Sequence, residues 1–107
     1  MAGPFQDLAD LDRFVHEPAR LAILTALSAC RSADFLYLQR LTGLTKGNLS
    51  AHLSKLESAE LIAVEKSFSG KIPVTQVELT RRGRTAIERH WAKLERLRTD
   101  ALEWQPE

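Results

Sequence analysis

The sequence predicts a mainly α-helical fold with one small β-hairpin placed before a long last helix. Three observations predict it: apolar residues recur at helical spacing over much of the chain, two runs of β-forming residues flank Gly70, and a seven-residue apolar period occupies the last quarter. At 107 residues we expect a single domain over 1–107, with helices and hairpin in 8–79 and the last helix in 80–105.

Helical patterns are predicted before the hairpin. Residues 8–15 form a short amphipathic segment, and the proline that opens 18–30 suits the first turn of a helix. Residues 31–34 read as a polar break, whose serine (Ser32) or aspartate (Asp34) can cap the next helix. That helix is short and stops at Gly43, a residue typical of the position just past a helix end.

The segment Thr45–Ala59 carries the most informative pattern in the chain. Leu49, Leu53 and Leu56 recur at i, i+4 and i+7, which predicts one buried stripe. The far side of this helix carries small residues with two polar neighbours: Gly47, Ser50, Ala51, Ser54, Asn48 and Lys55. A solvated face would normally carry long Glu and Lys side chains. A face this bare suits a helix that lies close to another surface, such as the major groove of DNA.

The elements around this helix complete a recognisable arrangement. A turn of three or four residues after Gly43 joins it to the preceding helix, which is helix-turn-helix geometry, and Thr45 is the expected N-cap. Leu61–Phe68 and Ile72–Leu79 are rich in β-forming residues, and the glycine between them marks a hairpin turn. Pro73 is expected on an edge strand. A hairpin in this place is the feature called a wing.

The last helix, predicted from Arg81 to Trp104 with Thr80 as its cap, has an apolar seam. Its a and d positions hold Ile87, His90, Leu94, Leu97, Ala101 and Trp104, and Trp91 widens the face. Such a rod is about 36 Å long, against a radius of gyration of about 13 Å for a domain of this size. We therefore expect a homodimer built on this seam, with 8–15 packed alongside. The alternative is that the seam covers only its own core.

Charge is distributed unevenly although the net charge is only +1. It sums to −3 over residues 1–19, +4 over 20–56, −2 over 57–80 and +2 over 81–107, so the positive regions coincide with the helix pair and the start of the last helix. No apolar run is long enough to span a membrane, and the N-terminus lacks the pattern of a secretion signal. A lone Cys30 fits a reducing compartment, so the cytoplasm is expected.

Catalytic and metal chemistry find little support in the sequence. No nucleophile–base arrangement or glycine-rich phosphate loop is visible, so we expect neither an enzyme nor a cofactor. Cys30, His16 and His90 are too scattered for metal-ligand spacing, and a metal site is not expected unless a dimer interface brings His90 against its mate.

The ordered motifs resemble small single-domain bacterial winged helix-turn-helix transcriptional regulators of the MarR/PadR-like superfamily. The resemblance rests on Pro18–Leu24, Leu44–Glu57, Leu61–Ile62 and Leu79–Arg84. It implies that residues 46–57 enter the major groove as the recognition helix, that the wing at 66–73 touches the backbone or minor groove, and that the C-terminal helix dimerises. Glu60 stands where relatives often have Gly.

The expected DNA contacts lie on the recognition helix, the wing and the start of the last helix. They are Lys46, Asn48, Ser50, Ala51, Ser54, Lys55, Lys71 and Arg81. The alternative for the small residues is an ordinary exposed helix face, and the alternative for the lysines is that their side chains are solvated. The arginines at 81, 82 and 84 could instead form ion pairs with Glu57, Glu60 or Glu78 rather than contact phosphate. His52 points towards the buried flank, where packing or a phosphate contact is expected.

The sequence therefore predicts a dimeric transcriptional regulator on a pseudo-palindromic duplex site, with two recognition helices in major grooves about 34 Å apart. The alternative is a winged-helix module that contacts a protein instead of DNA. A third interpretation adds a small-molecule effector pocket between the last helix and the domain, lined by residues such as Trp91 and Phe14.

Overall fold

The protein folds as helices packed on a small antiparallel sheet, in a computed structural model that describes residues 3–106. The helices are α1 Gln6–Ala9, α2 Arg13–His16, α3 Pro18–Ala29, α4 Phe35–Thr42, α5 Lys46–Ser58 and α6 Arg81–Glu103. The strands are β1 Ser32–Asp34, β2 Ile62–Ser69 and β3 Ile72–Leu79. The predicted class, mainly α with a hairpin and a long last helix, is confirmed.

Side chains that accept hydrogen bonds from first-turn N–H groups fix where the helices begin. Asp34, Thr45 and Thr80 each accept one from the backbone N–H three residues further along. The predicted caps at Thr45 and Thr80 are confirmed, and Asp34 rather than Ser32 caps α4. At the other end of α4, Gly43 adopts a left-handed conformation with φ of 71° and ends the helix as predicted.

The predicted polar break at 31–34 is wrong in part, because it contains strand β1. The sheet has the order β1-β3-β2, and Ala33 of β1 lies opposite Val77 of β3 with both side chains buried. A strand of three residues is too short to show an alternating pattern in the sequence. Its two polar residues, Ser32 and Asp34, are more typical of a loop than of a strand.

β3 is therefore the middle strand of the sheet, and the prediction of an edge strand for Pro73 is wrong. β1 pairs only with residues 76–78 of β3, so at Pro73 the only neighbouring strand is β2, where Phe68 lies opposite. The missing N–H of Pro73 therefore leaves no hydrogen bond to β1 unmade. The hairpin turns at Gly70, whose φ of 64° favours glycine.

The amphipathic segment at 8–15 is not one continuous element. It is divided between α1 and α2, because the Asp12 carboxylate accepts hydrogen bonds from the N–H groups of Phe14 and Val15 and begins a new helix there. Val15 is buried, whereas Leu8 is exposed. Both short helices contact α6, as expected for this segment.

The core lies between α3, α4, α5, the sheet and the first half of α6. Its fully buried side chains are Ile23, Leu24, Leu27, Leu38, Leu49, Leu56, Val77 and Ile87. α6 approaches so closely that the backbone carbonyl of Leu61 lies where a side chain at Gly83 would be. The molecule is elongated, at 67 × 23 × 22 Å. None of the helices in residues 3–106 has the length and hydropathy needed to cross a membrane.

The expectation that all seven seam residues of α6 face a partner is wrong for three of them. Ile87, His90 and Leu97 are buried by their own chain, because α2 and α3 pack against the first part of α6. Leu94 is half-buried, while Trp91, Ala101 and Trp104 are exposed. The seam is thus buried by the protein's own chain in part, while Trp91, bonded to Thr25, and Trp104, whose ring contacts Phe5, stay partly exposed.

Candidate nucleic-acid interface

Helix α5 turns its small-residue face away from the core. Leu49, Leu53 and Leu56 are buried as predicted, while the residues expected at DNA on this helix are all exposed: Lys46, Asn48, Ser50, Ala51, Ser54 and Lys55. Within residues 3–106, no hydrogen bond or salt bridge joins the side chains of Ser50, Ser54, Lys46 or Lys55 to other groups. The face is free to donate hydrogen bonds to a ligand.

A groove of about 570 Å³ separates α5 from the wing. Lys46, Ser50 and Ser54 line one side, and Lys66 and Thr75 belong to the side formed by the wing. Leu36 of α4 forms part of the floor and is exposed. Two carboxylates also line the groove, those of Asp34 and Glu57, so its potential is mixed and the lysines at its rims supply the positive charge.

A polar cluster anchors the back of α5 to the N-terminal helices. Arg20 donates from Nε to the carbonyl of Phe14 at 2.7 Å, and its guanidinium lies 4.5 Å from the centre of the Phe14 ring. His52 Nδ1 lies 3.3 Å from Arg20 Nη1 and 3.7 Å from a Glu17 carboxylate oxygen. His52 is therefore held by packing and polar contacts, one of the two roles expected for it.

Glu17 is held ionised within this cluster. Burial raises its pKa, but hydrogen bonds from the backbone N–H groups of Arg20 and Ala19, together with positive charge at His52 and Arg20, outweigh burial and lower the pKa below its ordinary value. The sequence offered only the spacing of Glu17 and Arg20 as a signal. Their meeting with His52, 32 positions beyond Arg20, depends on the tertiary fold.

The arginines at the start of α6 differ in their partners. Arg82 pairs with Glu60 at 3.4 Å, one of the ion pairs considered, and Arg84 pairs with Glu88 at 3.9 Å, which was not among them; both pairs are on the surface. In the described part of the chain, Arg81 forms no such pair and is exposed. Positive charge at a helix N-terminus opposes the helix dipole. Of the three arginines, Arg81 is the one whose guanidinium is available for phosphate.

Two histidines that the sequence suggested were scattered are in contact. His16 Nδ1 of α2 lies 2.8 Å from His90 Nε2 of α6. Their separation by 74 positions gave no sequence signal. Within residues 3–106, no group of three or more potential metal ligands comes together. The contact joins the N-terminal segment to α6.

A second concave surface, of about 690 Å³, lies between α3, α4 and α6. Trp91 lines it and donates a hydrogen bond from its indole N–H to Thr25 Oγ1 at 2.8 Å. Tyr37, Leu41 and His16 also line it. Phe14, expected in such a pocket, is not among the lining residues, because its ring packs against the Arg20 guanidinium.

Comparison with known proteins identifies the arrangement. Residues 19–98 match the family described as "Winged helix DNA-binding domain". A protein from Methanocaldococcus jannaschii, MJ0432, of uncharacterised function, is 35% identical over 72 residues, which are 66% of this chain and 77% of that protein. The family match, over residues 19–98, includes α4, α5, the hairpin and most of α3 and α6.

Solved structures agree with this match. The transcriptional regulator homologue from Pyrococcus horikoshii OT3 is 28% identical, with a TM-score of 0.82 over 95% of this chain and 100% of that one. A MarR-family regulator from Silicibacter pomeroyi shares the fold at 19% identity and a TM-score of 0.67, over 92% of this chain and 64% of that chain. The repressor CouR, solved bound to a 23-mer DNA duplex, shares it at 22% identity and a TM-score of 0.68, over 91% and 72%.

Proposed function

Because the chain belongs to the family of winged-helix DNA-binding domains, we propose that it is a sequence-specific transcriptional regulator that binds duplex DNA as a homodimer. The observation that carries the proposal is the free, small-residue face of α5 beside the wing. Ser50, Ala51 and Ser54 let the helix backbone come close to base edges, where Asn48 and the serine hydroxyls form hydrogen bonds.

Lysine and arginine side chains around this face supply the phosphate contacts. Lys46 and Lys55 lie at the edges of the α5 face, Lys71 lies at the tip of the wing and Arg81 at the start of α6, all exposed. Each neutralised phosphate releases counterions, so the affinity falls steeply with salt concentration. The fold shared with CouR, which was solved with a DNA duplex, supports this mode of binding.

The homodimer in this proposal uses the outer part of α6. Trp91, Ala101 and Trp104 are exposed, Leu94 is half-buried, and Leu102 beside them is also exposed. An apolar surface of this kind on a projecting helix is stabilised when a second copy covers it. Twofold symmetry would then place two α5 helices in successive major grooves, about 34 Å apart on a pseudo-palindromic site.

A small-molecule effector is a further part of the proposal. The cleft lined by Trp91, Tyr37 and Leu41 is mainly apolar with a few polar groups, which is the usual character of a ligand site. It lies against α6, so a ligand there would act on the helix that the proposal assigns to dimerisation.

Ser54→Glu tests the groove assignment. The new carboxylate would meet phosphates and base edges, so we expect loss of binding to the duplex upstream of the protein's own gene in a gel shift, with an unchanged circular dichroism spectrum. Thr99→Glu adds the same charge at an exposed site on α6 and should bind like wild type. Wild-type affinity in Ser54→Glu would contradict the assignment, and salt-insensitive or absent binding by the unmodified protein would favour a protein-contact module instead.

A further inference from the structure

The tip of the wing carries large apolar side chains where phosphate contact would need only charge. Phe68 is 74% exposed and Ile72 is 68% exposed, and Pro73 beside them is exposed as well. Single exposed apolar residues are ordinary, but here three lie at one hairpin tip: Phe68 and Pro73 pair on one face, and Ile72 lies on the other. None of the three belongs to the core, which ends at Val64 and Val77 on these strands.

The strand register places Phe68 on the side of the wing that faces α5. Val64 pairs with the buried Val77, Lys66 with Thr75 and Phe68 with Pro73, so alternation puts these six residues on one face of the hairpin. Lys66, Pro73 and Thr75 of this face line the groove against α5. Phe68 is four residues past Val64, which carries it about 13 Å beyond the core along the strand.

Charge at the wing tip favours a polyanion as its partner. Lys66 shares the face with Phe68, Lys71 lies at the turn, and there is no acidic residue between 66 and 77. Glu65 pairs with Gln76 and lies on the opposite face. A twofold contact between two wings would bring two tips of the same positive charge together, so a second copy of this chain fits this surface poorly.

We propose that Phe68 is an apolar wedge that enters the minor groove beside the α5 site and partly unstacks a base step, bending the duplex. This inference rests on the proposed DNA binding and deepens it. Apolar side chains placed between base steps in the minor groove kink DNA in this way. Pro73 is the cross-strand partner of Phe68, and its rigid ring would limit the movement of the phenyl ring away from the DNA. Lys66 and Lys71 would hold the phosphates on either side.

The wedge makes specificity depend on DNA flexibility outside the bases that α5 reads. Pyrimidine–purine steps such as TA and CA unstack most easily, so a flexible step at the wing position should raise affinity without any hydrogen bond to its bases.

The test uses the full chain and the duplex upstream of its own gene, with 2-aminopurine placed in turn at the flanking base steps. We expect wild type to raise the fluorescence at the wing position and to bend the duplex in a circular-permutation gel. Phe68→Ala should lose both signals and about tenfold in affinity, while guanine N7 protection from dimethyl sulfate in the major groove remains. Phe68→Leu should restore most of the bend, and Lys71→Ala should weaken binding while the bend remains.

The outcomes separate this inference from the proposed function. If wild type protects the major groove but Phe68→Ala bends and unstacks the DNA equally well, the wedge is wrong and DNA binding stands. If Phe68→Ala instead changes the oligomeric state without affecting the bend, a second copy occupies the wing tip and the wedge is wrong. If wild type binds no duplex, both the wedge and the proposed function fail.

Discussion

At the scale of single residues, Gly83 shows how closely two elements approach. A Cβ at this position would overlap the carbonyl oxygen of Leu61, and backbone cannot move aside as a flexible side chain can. The same carbonyl accepts a hydrogen bond from the N–H of Thr80. The first turn of α6 and the residue before β2 are therefore locked together, and only glycine fits between them.

We predict that Gly83→Ala lowers the free energy of unfolding by about 3 kcal/mol or more, because α6 must shift away from the sheet. Gly47→Ala is the matched control, since nothing lies within 4 Å of its Cβ position and alanine favours the helix by up to about 1 kcal/mol. Urea denaturation followed by circular dichroism measures both. Equal stability of the two variants would mean that α6 does not approach Leu61 as described.

Glu60 has a backbone conformation that is unusual for a residue with a side chain. Its φ is 62°, a left-handed conformation that costs a residue with a Cβ about 1–2 kcal/mol. Glycine would adopt this conformation without that cost. The carbonyl of Glu60 accepts a hydrogen bond from Thr80 Oγ1 at 2.7 Å, and its carboxylate pairs with Arg82, so the turn is fixed from both sides.

At the scale of elements, the His16–His90 contact links α2 to α6. Two nitrogens 2.8 Å apart need one proton between them, and protonation of both rings breaks the hydrogen bond. Burial lowers the pKa of His90 most, the charge of His16 lowers it further, Lys93 adds to this and Asp12 opposes it. His90 is 5% exposed, so its neutral form is part of the folded state.

A pH dependence follows from the lowered pKa of His90. In the unfolded chain His90 takes up a proton near pH 6.5, and in the folded chain it does so only at lower pH. Its contribution to the free energy of unfolding is therefore fully present above about pH 6.5 and is lost as the pH falls towards the pKa of the folded state. We expect the free energy of unfolding, measured in urea from pH 7.5 to 5, to decrease below pH 6.5. His90→Gln should flatten that decrease, and parallel profiles for the two proteins would contradict the account.

Some elements could be predicted from the sequence because their signals are local. The leucine stripe and the Thr45 cap located α5, and Gly70 with two β-forming runs located the hairpin. β1 could not be predicted, because its three residues are stabilised by pairing with β3, which follows more than 40 positions later. The division of the 8–15 segment depends on one side-chain contact of Asp12, which periodicity does not record.

At the scale of the whole molecule, one part of the last helix packs on the protein's own core and another part leaves apolar side chains exposed. The sequence had suggested either a dimer seam or a seam that covers only its own core. The seven-residue period of this helix marked an apolar seam, but a period does not say which surface covers each position. Ile87, His90 and Leu97 are buried by their own chain, whereas Trp104 at the far end is 50% exposed although its ring contacts Phe5. The molecule is 67 Å long.

The exposed face of α5 was the part of the site that could be predicted from the sequence, because small residues opposite a leucine stripe define it locally. The placement of Lys66 and Thr75 along the same groove could not be predicted, since it depends on the angle between the hairpin and α5. Its lining carboxylates, Asp34 and Glu57, were likewise not expected there.

Tethered cleavage tests the central claim most directly, that the small-residue face of α5 lies in the major groove of a duplex bound by two copies. An iron–EDTA group on Ser58→Cys, at the exposed end of α5 and outside the residues assigned to DNA, generates radicals beside α5 in a Cys30→Ala background, and Thr99→Cys is the control on α6. On the duplex upstream of the gene, we predict cleavage centred on two major grooves about 34 Å apart from position 58 and none from position 99. A protein that binds this duplex but cleaves it from position 99 and not from position 58 would contradict the account.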